Sequence, residues 1–231
     1  MTIVENYFFE LRNLTKNFGL TKVLNKIFLS FIEGDRVLIV GPNGSGKSTL
    51  IKILLGLLSK SSGEIMLEGK EVNRPPLFES SFLGHNSLLY APLSVLENLK
   101  LLLRLRDGSE ELNLILEEWS LLTQKNKLIS ELSKGNEWRA ALAVVLNRTA
   151  SFLYLDEPTT SLDQSGRELF LGNFNKIALN KKLTVIATHD VRGLAETINR
   201  VVVLKHGQVS KDIRGNFKEA QLSSLYLEAC S

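Results

Sequence analysis

The sequence predicts an α/β protein with a parallel sheet at its centre, and three observations predict it. First, the apolar run Val37 to Val40 breaks off in a glycine-rich loop and is followed at once by the helix-like run Lys47 to Leu57. A strand feeding a tight loop and a helix opens a parallel α/β unit, whose ligands gather at the carboxyl ends of the strands. Second, the apolar run Phe152 to Leu155 ends as abruptly in Asp156-Glu157. Third, from about Leu93 to Leu122 strand signals vanish, and leucines alternate with charges such as Glu97, Lys100, Arg104, Glu110 and Glu117. That texture is the one expected of amphipathic helices inserted into the α/β frame.

The remaining elements follow in order. Tyr7 to Leu11 and Val23 to Ile32 read as strands ahead of the glycine loop. Glu64 to Leu67 and Ser80 to Leu83 read as a second strand pair, separated by a turn-prone stretch holding Pro75 and Pro76. In the last third, Gln164 to Ala178 is a helix, Leu183 to Ala187 and Val201 to Leu204 are strands, and His206-Gly207 is the turn of a terminal hairpin. Phe217 to Ala229 closes the chain as a helix. No repeat or low-complexity tract interrupts this order, and one α/β core carrying a helical subdomain fits 231 residues.

Composition excludes several classes. With 44% apolar and 23% charged residues, the chain is neither disordered nor fibrous. The 28 basic and 25 acidic side chains leave +3, too small a bias to point to nucleic acid as a partner. Cys230 is the single cysteine, so an internal disulfide and a cysteine-rich zinc cluster are excluded, and a reducing compartment is expected. Met1 to Phe9 lacks the charged and apolar regions of a secretory signal. The longest apolar stretch, Ala140 to Leu146, falls far short of the ~18 residues that span a bilayer. The expectation is a protein that is soluble or peripheral through a partner.

Gly41-Pro42-Asn43-Gly44-Ser45-Gly46-Lys47-Ser48 satisfies the G-x-x-x-x-G-K-[ST] pattern between a strand and a helix. Its glycines let successive N–H groups turn inward on phosphates, and the helix dipole adds positive charge at the same place. Lys47 supplies a full charge to the β- and γ-phosphates, Ser48 a hydroxyl to Mg²⁺, and Thr49 support on the α-phosphate side. Asp156 is then expected to hold Mg²⁺ through water, and Glu157 to orient or deprotonate the attacking water. An isolated Asp-Glu pair would read as a solvated strand end; beside a phosphate loop it reads as the loop's chemical partner.

With these motifs in place, nearly the whole chain resembles the ATP-binding-cassette ATPases. Leu132-Ser133-Lys134-Gly135-Asn136, with Arg139 beyond it, resembles the family's Leu-Ser-Gly-Gly-Gln signature. Ser161-Leu162-Asp163 is similar to its D-loop and Thr188-His189-Asp190 to its switch-histidine segment. Phe18 falls at the position of an aromatic that stacks on adenine, and Ser62-Gly63-Glu64-Ile65 followed by Gly69 is similar to an early hairpin. The resemblance implies a P-loop NTPase core of the ABC ATPase type, with an N-terminal antiparallel β subdomain. It also implies an inserted α-helical signature subdomain over about 87–148 of a single domain, 1–231. It implies ATP and Mg²⁺ as cofactors, Lys47, Glu157 and His189 as catalytic residues, and Asn86 with Ser48 and Asp156 on the metal. Phe18, the loop from Gly41 to Thr49, Asn86, Ser133, Gly135 and Asp163 are then the nucleotide contacts.

Some positions depart from the pattern. Lys134 and Asn136 replace glycine and glutamine, leaving Ser133 and the backbone of Gly135 to meet a phosphate before a helix expected near Glu137. Asn86 stands for a glutamine and is one methylene shorter, and Val144 occupies a common arginine position. His85 reads as structural and His206 as structural or a turn residue.

The resemblance further implies a head-to-tail dimer, with a second copy or a related half closing ATP between Lys47 of one chain and Ser133 of the other. It implies integral membrane subunits as partners, at the cytoplasmic face of the inner or plasma membrane. Tyr90, Leu93 and Val95 are expected to line the mouth of a groove for a short helix of such a subunit. Cassette proteins acting on ribosomes usually carry two cassettes, and chromosome-maintenance ATPases need long heptads, so transport is favoured. Leu83-Gly84-His85-Asn86, Leu88-Leu89-Tyr90 and Glu97-Asn98-Leu99 resemble the haem-exporter ATP-binding subunit of cytochrome c maturation. ATPase subunits of multidrug, lipid and polysaccharide exporters share much of that pattern.

Overall fold

The computed structural model describes residues 7–75, 79–106 and 108–230. β1 (Phe9–Phe18) and β2 (Thr21–Phe31) form a hairpin, and β1 also pairs with β4 (Ser62–Leu67), which turns back into β5 (Lys70–Glu71). These four make an antiparallel sheet in the order β2-β1-β4-β5. The second sheet has the order β10-β9-β3-β8-β7-β6. In it, β3 (Asp35–Val40), β6 (Ser80–Leu83), β7 (Phe152–Asp156), β8 (Leu183–Ala187) and β9 (Arg200–Lys205) run parallel, and β10 (Gln208–Arg214) closes one edge antiparallel. Helix α1 (Lys47–Leu54) follows the glycine loop, and α2 (Val95–Leu103), α3 (Glu110–Glu118) and α4 (Lys134–Asn147) lie between β6 and β7. α5 (Gln164–Ala178) and α6 (Glu219–Cys230) complete the chain.

Alternation along the parallel strands divides the core in two. Val37, Ile39, Tyr154 and Val185 pack with Leu50, Ile51 and Ile53 of α1 and with Phe9, Leu11 and Ile27 of the antiparallel sheet. Leu38, Val40, Leu153, Leu155 and Ile186 face the other way, onto Ala141, Leu142 and Val145 of α4 and Phe170 and Phe174 of α5. Both faces are covered, so these strands carry continuous apolar runs rather than alternating ones.

Several sequence expectations need correction. Glu64 to Leu67 and Ser80 to Leu83 are not a pair: β4 belongs to the antiparallel sheet, whereas β6 is the edge of the parallel sheet against β7. Short apolar runs carry no label for their partner, and the stretch reaching Pro75 carries the chain from one sheet to the other; Pro76 lies outside the described residues. The first strand runs to Phe18 instead of ending at Leu11, because a register shift with Asn13 at φ 53° absorbs the polar pair Arg12-Asn13. Helix α1 stops at Leu54, capped by Leu55 ahead of Gly56 at φ 73°. Helix α4 begins at Lys134 rather than near Glu137, because the Ser133 hydroxyl accepts the N–H of Asn136 and caps the helix three residues early. Val95 is wholly buried and lines no groove mouth, whereas Tyr90 is exposed and Leu93 half-buried.

The loop before α2 is held firmly. Ser94 and Glu97 form a reciprocal capping box. Asn98, with no exposed surface, accepts from the Tyr90 N–H at 2.8 Å and donates to the carbonyls of Tyr90, Leu93 and Ser94 at 3.1, 3.3 and 2.9 Å.

One buried polar network joins the two sheets. The Arg200 guanidinium donates to Asp35 at 2.9 Å, to the Ser30 carbonyl of β2 at 2.6 Å and to both oxygens of Asp212, and lies 5.2 Å from the Phe31 ring. Asp35 also accepts from the Ile32 N–H at 3.1 Å and pairs with Arg214. Arg200→Ala should therefore destabilise the fold by about 3 kcal/mol, the low end for a broken buried pair because Arg214 still faces Asp35. Urea unfolding measures this, and a loss below about 1 kcal/mol would show that the network does not hold the sheets together.

Candidate nucleotide-binding site

Sheet register assembles the site. Ile39 and Asp156 both pair with Ala187, so the loops that leave β3, β7 and β8 emerge side by side from one sheet edge. The loop from Gly41 to Gly46 curls there, with the Ser45 N–H on the Pro42 carbonyl at 3.2 Å, and passes into α1 at Lys47. Only glycine fits its two ends. A Cβ at Gly41 would lie 2.1 Å from the Leu204 carbonyl oxygen, and one at Gly46, where φ is 103°, 2.6 Å from the Leu24 side chain. The Lys47 ammonium arches over the loop, donating to the carbonyls of Gly41 and Pro42 at 2.8 and 3.1 Å. Asn43, Ser45, Lys47, Ser48 and Thr49 line a cavity of about 400 Å³ together with His85, Asp156 and Glu157.

Asp156 is 2% exposed, and its Oδ1 is buried with no hydrogen-bond partner among the described residues. A buried carboxylate oxygen left over at a cavity that Ser48 also lines fits a hydrated Mg²⁺, which takes oxygen ligands and keeps several waters. Glu157 has φ 53°, the left-handed region that costs a branched or long side chain energy and persists where its surroundings impose it. Here they do: its N–H bonds the Ala187 carbonyl at 2.8 Å, and its Oε2 accepts from the Thr188 hydroxyl at 3.1 Å and the His189 N–H at 3.3 Å. The same oxygen lies 2.8 Å from His189 Nδ1. Glu157 and His189, distant in sequence, are thus in direct contact.

Arg167, which the sequence reading passed over, pins this turn. Nearly buried on α5, it forms a two-pronged ion pair with Asp190, Nη2 to Oδ1 at 2.8 Å, and donates to the Arg192 carbonyl at 2.9 Å. The Asp190 N–H in turn bonds the Thr188 hydroxyl at 3.1 Å. An arginine at a buried position of a helix face is the signal that could have marked it.

Ser133, Gly135 and Asp163 do not line the phosphate-loop cavity. They form a separate surface, in which Gly135 approaches the Ser161 carbonyl and Asp163 accepts from the Gly166 N–H at 2.8 Å and from Arg139 at 2.7 Å. The backbone N–H, followed by the guanidinium, holds the Asp163 carboxyl below the usual carboxylate range. Lys134 pairs with Glu137 at 3.0 Å, Glu137 accepts from the Ser87 hydroxyl at 2.6 Å, and the Trp138 indole donates to the Pro158 carbonyl at 2.6 Å. Phe18 is half-exposed, with the Lys16 ammonium 4.9 Å from its ring centre. Asn86 is exposed and outside the cavity lining, while His85, read from sequence as structural, is inside it. His206 is a turn residue at φ 48°.

Comparison with known proteins agrees with this geometry. Residues 24–160 match the family model described as ABC transporter. The chain is 32% identical over 216 residues to the glutamine transport ATP-binding protein GlnQ of Escherichia coli K12, covering 88% of this chain and 90% of that one. It is 35% identical over 158 residues to the lantibiotic transport ATP-binding protein SrtF of Streptococcus pyogenes, covering 68% and 69%. Against the spermidine/putrescine import ATP-binding protein PotA of Legionella pneumophila it is 30% identical, with 87% of this chain but only 58% of the relative covered. Among solved structures, the dimeric ATP-binding cassette MJ0796 in a post-hydrolysis state with ADP and Pi superimposes with a TM-score of 0.76 at 28% identity, over 89% of this chain and 98% of that one. The phosphate loop, the Asp156-Glu157 strand end and these relatives place the chain in the ABC transporter family, as an ATPase whose hydrolysis is coupled to transport.

Proposed function

We propose that the chain is the ATP-hydrolysing subunit of a transporter whose substrate path is built by separate membrane subunits, and that the transport is export, of haem for cytochrome c assembly. The observation that carries the ATPase chemistry is the contact of Glu157 with Thr188 and His189 at the wall of the phosphate-loop cavity. The loop N–H groups and Lys47 bind the phosphates of ATP, with Phe18 against the adenine and Ser133, Gly135 and Asp163 on the facing surface. Ser48 and Asp156 would hold Mg²⁺, which would supply charge neutralisation to the phosphates of the nucleotide. Glu157 accepts the proton of the attacking water, and His189 meets the γ-phosphate from the same side.

Because Ser133 and Gly135 lie outside the cavity, they serve the site of a second copy, in a head-to-tail homodimer or with a related half. ATP closes the pair, and loss of the γ-phosphate reopens it. The domain reading extends to the helical stretch of about 87–148 as the signature-bearing subdomain. Support for the haem-export type comes from the pattern around Leu83-Gly84-His85-Asn86 and Glu97-Asn98-Leu99. Named relatives include the spermidine/putrescine and sulfate/thiosulfate import ATP-binding proteins, which makes import the second reading.

Among the described residues no helix is long and apolar enough to cross a membrane, so attachment to the cytoplasmic face is proposed through a partner. Leu88 and Tyr90, 64% and 51% exposed on the loop that Asn98 braces, give a short membrane-subunit helix an apolar surface to sit on.

Glu157→Gln should retain ATP affinity, lose turnover by about 100-fold or more and accumulate a dimer in MgATP, since the amide keeps the hydrogen bonds but accepts no proton. Phosphate release and light scattering check this; parent-rate hydrolysis by a monomeric variant would reject the role of Glu157. Leu88→Glu with Tyr90→Glu should move the protein out of the membrane fraction when the partner is coexpressed, with ATP binding unchanged. Retention in the membrane fraction would place the docking surface elsewhere.

A further inference from the structure

The loop after β6 brings two polar side chains toward the metal side of the cavity, and only one of them arrives. β6 runs parallel to β7 with Leu83 opposite Leu155, so the residues just beyond Leu83 flank Asp156 and Glu157. In that position His85 lines the cavity, with Nε2 3.7 Å from Asp156 Oδ2. The separation is too long for a direct hydrogen bond but close enough for both groups to face one ion. Its ring is 66% exposed, so core packing does not account for its placement, whereas the facing Asp156 is 2% exposed and keeps a second oxygen unpaired among the described residues. Lys47 is the other charged group on the cavity wall besides Asp156 and Glu157, and its ammonium is turned onto the Gly41 and Pro42 carbonyls. Asn86 is exposed outside the lining.

Resting on the nucleotide-site reading above, we propose that His85, and not Asn86, is the residue of this loop that enters the coordination sphere of the nucleotide-bound divalent ion. It brings an imidazole nitrogen to a site otherwise made of oxygens from Ser48, Asp156, water and phosphate. Imidazole is a good partner for first-row transition ions, so the site binds Mn²⁺ relative to Mg²⁺ more tightly than an all-oxygen site does. Asn86 is left free to follow Ser87, whose hydroxyl is bonded to Glu137 of α4.

The test uses Mn²⁺ with ADP, which cannot turn over. Bound Mn²⁺ is counted from its electron paramagnetic resonance signal, and pulsed spectra read nitrogen nuclei near the ion. The parent should show nitrogen coupling. His85→Ala should lose it and bind Mn²⁺ADP about tenfold more weakly, the cost of removing a ligand-supporting group. Asn86→Ala should keep both within about twofold, a change too small for a lost ligand contact. Unchanged Mn²⁺ affinity in His85→Ala, or a loss confined to Asn86→Ala, would overturn the assignment while leaving the nucleotide site intact. A parent that binds no Mn²⁺ADP would overturn both.

Discussion

The hydrogen-bond register of three neighbouring parallel strands is the constraint on which the rest of the molecule depends. With Ala187 opposite both Ile39 and Asp156, three separate stretches of chain reach the same sheet edge at the same level. A slip of one residue would turn each apolar run inside out, because alternate residues feed different halves of the core. Burial of Val37 and Ile39 on one side and Leu38 and Val40 on the other therefore fixes the height at which Gly41, Glu157 and Thr188 leave the sheet. The strain of Glu157 in the left-handed region is tolerable for the same reason, since its N–H is anchored to β8 at Ala187.

Much of this was legible in the sequence because it is written locally. The phosphate loop needs small residues at places set by its own curl, and Gly41 and Gly46 are small because Leu204 and Leu24 pack against them. Asp156-Glu157 announces itself by ending an apolar run. What the sequence did not reveal were facts about partners. Nothing in Ser80 to Leu83 says that it pairs with β7 rather than with Glu64 to Leu67, and without that pairing His85 has no reason to be near Asp156. The part played by Arg167 is hidden similarly, because Asp190 becomes its partner only when α5 packs beside the turn after β8. Where α4 begins is open to a local reading, since Ser133 is an ordinary capping residue whose hydroxyl accepts the Asn136 N–H.

The phosphate-loop cavity and the surface around Ser133 are separate but linked by hydrogen bonds. Trp138 of α4 bonds the carbonyl of Pro158, directly after Glu157, and Glu137 holds Ser87 two residues beyond His85. Two hydrogen bonds thus tie the loops beside the cavity to the start of α4. Burial raises the Glu137 carboxyl, but the Ser87 hydroxyl and Lys134 outweigh it and hold it below its ordinary value, so this link carries a charge at neutral pH.

The central claim is that a phosphate loop and a signature lying apart in one chain act together only across two chains. The most direct measurement mixes two variants, Lys47→Ala and Ser133→Arg, each lacking one half of the shared site. The account predicts that each is inactive alone and that mixing restores ATP hydrolysis, because the mixed pair retains one site with Lys47 from one chain and Ser133 from the other. A mixture as inactive as its components, under conditions where the parent hydrolyses ATP and mixed pairs form, would contradict it.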